Sequence, residues 1–156
     1  MSFEEKLTKV LANFLVFLLV AMVINVLLQV LARFIGFAMP FTEELAGYLL
    51  VWVGVLGASY ATGQRLHLAI DLWPRSASEA KQKRFNVIVN IIVIIFAFFV
   101  MVVGGLNLVY ITLKLNQLSP VLEIPKGFVY MVIPLSGLLI IYYSIMNMRR
   151  NPYGSY

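Results

Sequence analysis

The stretch Val87-Ile88-Val89-Asn90-Ile91-Ile92-Val93-Ile94-Ile95-Phe96 opens a run that reaches Leu113 without one Asp, Glu, Lys, Arg or His. Strands of a membrane barrel alternate lipid-facing and lumen-facing residues, and nothing here alternates. The run is therefore helical. Its length along the axis, about 40 Å at 1.5 Å per residue, exceeds the roughly 30 Å of a bilayer's hydrocarbon core, so a helix over 87–113 spans a membrane and tilts or protrudes.

Working outward, three more segments of the same kind appear, at 10–32, 45–63 and 127–148, and none of them contains an Asp, Glu, Lys, Arg or His. Only helices and closed barrels satisfy their backbone in lipid. The expected fold is an all-α integral membrane protein with four transmembrane helices, one membrane domain over 1–156, and a polar loop over 64–86. Lys6 and Lys9 precede the first run as in a signal peptide. That run is far longer than an h-region of about 7–15 residues, and no small-residue cleavage pattern follows it, so it reads as a retained anchor.

Composition agrees: 62% of the 156 residues are hydrophobic and 12% charged, against about 25% charged in a soluble domain. The net charge of +5 does not indicate nucleic acid, because the cations sit at the ends of apolar runs rather than along a basic face. Nine of them fall on one side of the membrane: Lys6, Lys9, Arg65, Arg75, Lys81, Lys83, Arg84, Arg149 and Arg150. Only Arg33, Lys114 and Lys126 fall on the other. The excess of Lys and Arg in cytoplasmic loops then places both termini and the loop 64–86 in the cytoplasm, with 33–44 and 114–126 outside.

Local signals set the boundaries. Thr42 has the character of a cap for the second helix, with Glu43 and Glu44 in its first turn where the dipole favours negative charge, and Pro40 keeps the preceding residues from being helical. Trp73-Pro74 marks a break, and Ser76 with Glu79 has capping-box spacing, so a helix restarts near Ala77. Pro125 opens the fourth helix and Pro134 kinks it.

The chain's chemistry is sparse. With no cysteine, disulfides, thiolate metal sites and cysteine nucleophiles are excluded, and no cofactor or metal is called for. A protein that moves ions unaided usually carries ionisable groups within its spans, and these spans have none. Asn25 and Gln29, one turn apart, suit either an aqueous path or hydrogen bonds to a neighbouring helix. Gly47, Gly54 and Ala61 recur every seven residues on the second helix, and Gly54 with Ala58 and Gly57 with Ala61 are small-xxx-small pairs. They serve either packing inside the chain or a partner's helix, and Gly104-Gly105 carries the same two readings. The single histidine, His67, stands four residues before Asp71, a spacing that lets them face each other on a helix. A structural tie at the membrane surface fits that pair better than catalysis, because no further base or nucleophile accompanies it. Trp52 reads as a packing anchor.

Glu43-Glu44 at a helix start, Trp52 in the span, Leu56-Gly57-Ala58, and then Arg65 before His67-Leu68-Ala69-Ile70-Asp71 together resemble the small membrane subunit of tripartite ATP-independent periplasmic (TRAP) transporters, the DctQ-like family. Gln64-Arg65-Leu66 departs from the more polar or glycine-containing approach of many relatives. The resemblance implies a bacterial inner-membrane complex in which a periplasmic substrate-binding protein delivers an organic acid, such as sialic acid or a C4-dicarboxylate, to a large membrane subunit. That subunit carries the acid inward with sodium by an elevator motion. The small subunit would be a non-catalytic scaffold, in contact with membrane lipids, that braces the large one. Its outer segments, with Glu43, Glu44 and Glu123, would help dock the binding protein. Two rival classes remain: a self-sufficient four-helix exporter acting as a homodimer, which would need a membrane-embedded carboxylate, and a small membrane enzyme, for which only His67 and Asp71 come close.

Overall fold

The computed structural model describes residues 3–64 and 79–149. Four helices in it are long and apolar enough to cross a membrane, Glu4–Phe34, Pro40–Gly63, Arg84–Lys114 and Lys126–Arg149, and each contains one of the four expected segments. Trp73-Pro74, the Ser76–Glu79 box and the restart near Ala77 fall on or run into residues outside those described. The chain is already helical at Glu79.

The first span is α1, Phe3–Phe34. It ends where Gly36 takes φ +77°, the N–H of Phe37 reaches back to the Ala32 carbonyl at 2.9 Å, and that of Gly36 to Arg33 at 3.1 Å. These are the two bonds of a Schellman closure, for which glycine at the left-handed position is the usual residue. The second span is α2, Pro40–Gly63, and here the expected cap is corrected. Pro40 occupies the first turn and Met39 is the cap residue, with no side-chain cap bond. The fixed φ of proline suits a helix start, and its missing N–H would be unpaired there anyway. Thr42 lies inside the helix, and its hydroxyl donates to the Met39 carbonyl at 2.7 Å.

The third span is not one regular helix. It comprises α3, Glu79–Phe96, a π-helical stretch Ala97–Gly104, and α4, Gly105–Lys114. The fourth breaks into α5, Lys126–Tyr130, and α6, Val132–Arg149, as the expected kink at Pro134 requires. Proline has no N–H to offer the Tyr130 carbonyl one turn back, and the next bond, Leu135 to Met131, is stretched to 3.4 Å.

The helices form a row rather than a closed bundle. The α1 helix packs on α2, α2 on α6, and α6 on α3 and the π-helical stretch, while α4 packs on α5. The spatial order of spans is thus first, second, fourth, third. In such a row only the inner members can be enclosed. Of the two inner members only the fourth span is enclosed, with 44% of its most apolar window buried against 17% for the first and second and 11% for the third. Leu11, Leu15, Leu18, Leu56, Val132 and Tyr143 make the small core where three spans meet.

Polar side chains stitch the row by donating to carbonyls of neighbouring helices, a bond with no water to compete for it in lipid. The Ser59 hydroxyl donates to Ser136 at 3.1 Å, and the Asn147 amide to Thr62 at 2.8 Å. At the end of the row that holds both chain ends, Thr8 and Tyr143 share a hydroxyl–hydroxyl bond of 3.1 Å. Glycines set the spacing of the third and fourth spans. A methyl on Gly137 would come within 2.8 Å of the Met101 Cβ and 3.3 Å of the Ala97 carbonyl, and one on Gly105 within 3.0 Å of Pro134.

Candidate functional site

At the end of the row away from the chain ends, two connections meet the helices. Residues 115–125 form an ordered loop. Asn116 adopts φ +46°, and the bonds Gln117 to Thr112 (3.0 Å) and Asn116 to Leu113 (3.1 Å) repeat the Schellman closure, here with asparagine. Leu118 pairs with Pro125 in an isolated antiparallel bridge, and the Ser119 N–H reaches Ile124 at 2.9 Å. Leu118, Val121 and Ile124 remain exposed on this loop, and Phe34, Ile35 and Phe37 on the other.

Glu44 holds the first loop in place. One carboxylate oxygen accepts the backbone N–H of both Val121 and Leu122 at 3.0 Å, and the other accepts the Tyr48 hydroxyl at 2.8 Å. With α2 starting at Pro40, only Glu43 is in its first turn; Glu44, one residue further on, reaches across to the fourth span's entry loop. Glu43, one residue earlier, faces elsewhere. It meets Arg33 at 3.4 Å, with the two side chains 62% and 79% exposed, and Gln29 at 3.3 Å. Glu123 is exposed at φ +54°. The three acids expected at a docking surface thus lie at one end of the row in different settings: Glu44 bound to the chain itself, Glu43 and Glu123 open.

Asn25 and Gln29 make no aqueous path. The Asn25 amide is buried and donates to the Thr42 carbonyl at 2.8 Å, and Gln29 donates to Glu43. Below them Trp52 donates its indole N–H to the Val129 carbonyl at 3.0 Å and meets Phe14 edge-on with ring centres 6.3 Å apart. It touches both neighbours of the second span at the point where the fourth is broken.

Gly47, Gly54 and Gly57 of α2 are not spent on packing inside the chain, whereas a methyl on Gly63 at the helix end would come within 3.0 Å of Tyr143. A methyl placed on Gly47, Gly54 or Gly57 meets nothing within 4 Å; Gly47, Gly54 and Ala58 are exposed, and Gly57 and Ala61 half-buried. In the third span the two glycines divide, with Gly105 buried against the fourth span and Gly104 outward. Among the described residues no three His, Cys, Asp or Glu side chains gather as a metal site would need. Arg65, His67 and Asp71 lie outside the described residues.

A row of four helices, each long and apolar enough to cross a membrane, defines a multi-pass membrane protein. Residues 22–151 match the family model of the DctQ component of tripartite ATP-independent periplasmic transporters, and the chain belongs to that family. It is accordingly a multi-pass protein of the bacterial inner membrane. It is also similar to a Haemophilus influenzae protein named "Putative TRAP transporter small permease protein". The two are 26% identical over 141 residues, which cover 89% of this chain and 85% of that one.

Proposed function

We propose that this chain is the non-catalytic small subunit of a sodium-coupled TRAP transporter for organic acids, bracing a large elevator-type membrane subunit through the open face of α2. The observation that carries this reading is the stripe Gly47, Gly54, Ala58 and Ala61 along a membrane helix: the first three are exposed and Ala61 is half-buried, and a methyl placed on Gly47 or Gly54 meets none of the described residues within 4 Å. Small residues let helices approach closely, so that dispersion between backbones replaces the hydrophobic drive that lipid does not supply. The spans' lack of ionisable residues between their ends suits a brace, since ion coupling would then belong to the partner.

In this reading both termini are cytoplasmic, as the distribution of Lys and Arg favours, and the loops 35–39 and 115–125 face the periplasm. Glu43 and Glu123 then offer charge to a substrate-binding protein, and Glu44 shapes the loop that carries Glu123. The name of the Haemophilus influenzae relative, a small permease of a TRAP transporter, supports the same assignment. Arg65, His67 and Asp71 complete the sequence pattern by which the chain resembles the family. Affinity purification of this chain in mild detergent tests the proposal. A larger polytopic protein should accompany it, and Gly54→Leu should reduce the recovery. Recovery of this chain alone would contradict it.

A further inference from the structure

The third span stands at one edge of the row and is the least enclosed of the four. Within it Asn107 is exposed, and no hydrogen bond joins its carboxamide to the described residues. The residue lies about 10 Å along the axis inside Lys114, within the apolar run 87–113. A carboxamide at that depth without a partner is unfavourable, because lipid offers neither donor nor acceptor. Three residues earlier on the same face is Gly104, where a methyl would meet only the Phe99 carbonyl, at an ordinary 3.5 Å. A notch and an unpaired amide therefore lie side by side, flanked by exposed Val100, Val103, Tyr110 and Ile111.

Asn13 on α1 supplies the contrast. Its amide is exposed as well, but its neighbours one turn away include Val10 and Phe17, both about two-thirds exposed, which hold a second backbone at a distance. Asn107 has a bulky neighbour as well, Tyr110, which is 61% exposed, but on its other side Gly104 leaves room for close approach, and no residue one turn from Asn13 is as small.

The geometry points to Gly104 and Asn107 as a contact with a membrane-embedded helix of the large subunit, one that presents a hydrogen-bonding side chain or a free carbonyl at this depth. The inference rests on the proposal that such a subunit is the partner, and adds a second line of contact to the α2 stripe. The test uses the intact complex with three variants, Asn107→Leu, Gly104→Leu and Asn13→Leu. Asn107→Leu should lower the affinity for the large subunit about three- to fifteen-fold, the range of one interhelical side-chain hydrogen bond, and leave the thermal midpoint of the isolated chain unchanged or higher. Gly104→Leu should lower it as well, and Asn13→Leu should not. The chain has no cysteine, so a single cysteine at position 107 carrying a photocrosslinker should label the large subunit. Labelling only of lipid or of a second copy, wild-type affinity in Asn107→Leu, or an equal loss in Asn13→Leu would each overturn the contact. Absence of any larger protein with the wild-type chain would refute the partner reading itself.

Discussion

The Glu44 carboxylate accepts the backbone N–H of Leu122 at 3.0 Å across 78 residues of sequence, and so fixes the entry loop of the fourth span to the N-terminal end of the second. The same oxygen holds Val121 and its twin holds Tyr48. Glu44→Ala leaves two loop amides without their acceptor. It should lower the thermal midpoint of the detergent-solubilised chain and speed proteolytic cutting within 115–125 several-fold. Glu44→Gln keeps an acceptor oxygen and should fall between wild type and alanine. Glu43→Ala should leave both readouts near wild type, because an exposed ion pair contributes about 0–1 kcal/mol. Equal effects at the two positions would contradict the strut role of Glu44.

The glycines should separate into two groups. Gly137→Ala forces a methyl against the Cβ of Met101 and toward the backbone of Ala97, where no flexible side-chain end can move aside, and overpacking of that kind costs about 1–3 kcal/mol. Gly127→Ala meets instead the branched end of the Leu113 side chain, which can change rotamer, so a smaller loss is expected there. Gly54→Ala and Gly57→Ala meet nothing and should leave the isolated chain as stable as wild type or slightly more so, since alanine is the better helix former. Thermal unfolding of the four variants in one detergent checks the division.

Trp52→Phe keeps an aromatic ring against Phe14 and removes the indole N–H from the Val129 carbonyl. The expected loss is about 0.6–1.7 kcal/mol, the range for side-chain hydrogen bonds between membrane helices. Because that bond crosses from the second span to the short α5, amide exchange should rise first at Lys126–Tyr130. Uniform exchange throughout the row would argue against a local tie.

How much of this was legible follows from what each feature depends on. The spans were readable because run length and the absence of charge decide them locally, as with 87–113. Pro125 and Pro134 were readable because a missing N–H acts within one turn. Thr42 misled, since Pro40 two residues earlier starts the helix and leaves the hydroxyl inside it. The π-helical stretch Ala97–Gly104 is uniformly apolar apart from its closing glycine, and no residue in it announces a wider turn. Its packing partner Gly137 is over thirty residues away. The helix closures at Gly36 and Asn116 carried a usable signal that was passed over, a glycine and an asparagine just beyond apolar runs. Glu44 was picked out by its family pattern, but its bond to Val121 and Leu122 depends on a loop 77 and 78 residues distant, which no local pattern contains. The same limit applied to Gly54 and Gly105: both sit in small-residue motifs, and only the three-dimensional arrangement separates the open one from the packed one.

The central claim is that this chain braces a transporting partner and does not move solute itself. Purified alone and reconstituted into sodium-loaded and sodium-free vesicles, it should give no accumulation of labelled organic acid above protein-free vesicles. Co-reconstitution with the large subunit and the binding protein should give uptake that falls when Gly54→Leu is introduced. Solute accumulation driven by the isolated chain would contradict the account directly.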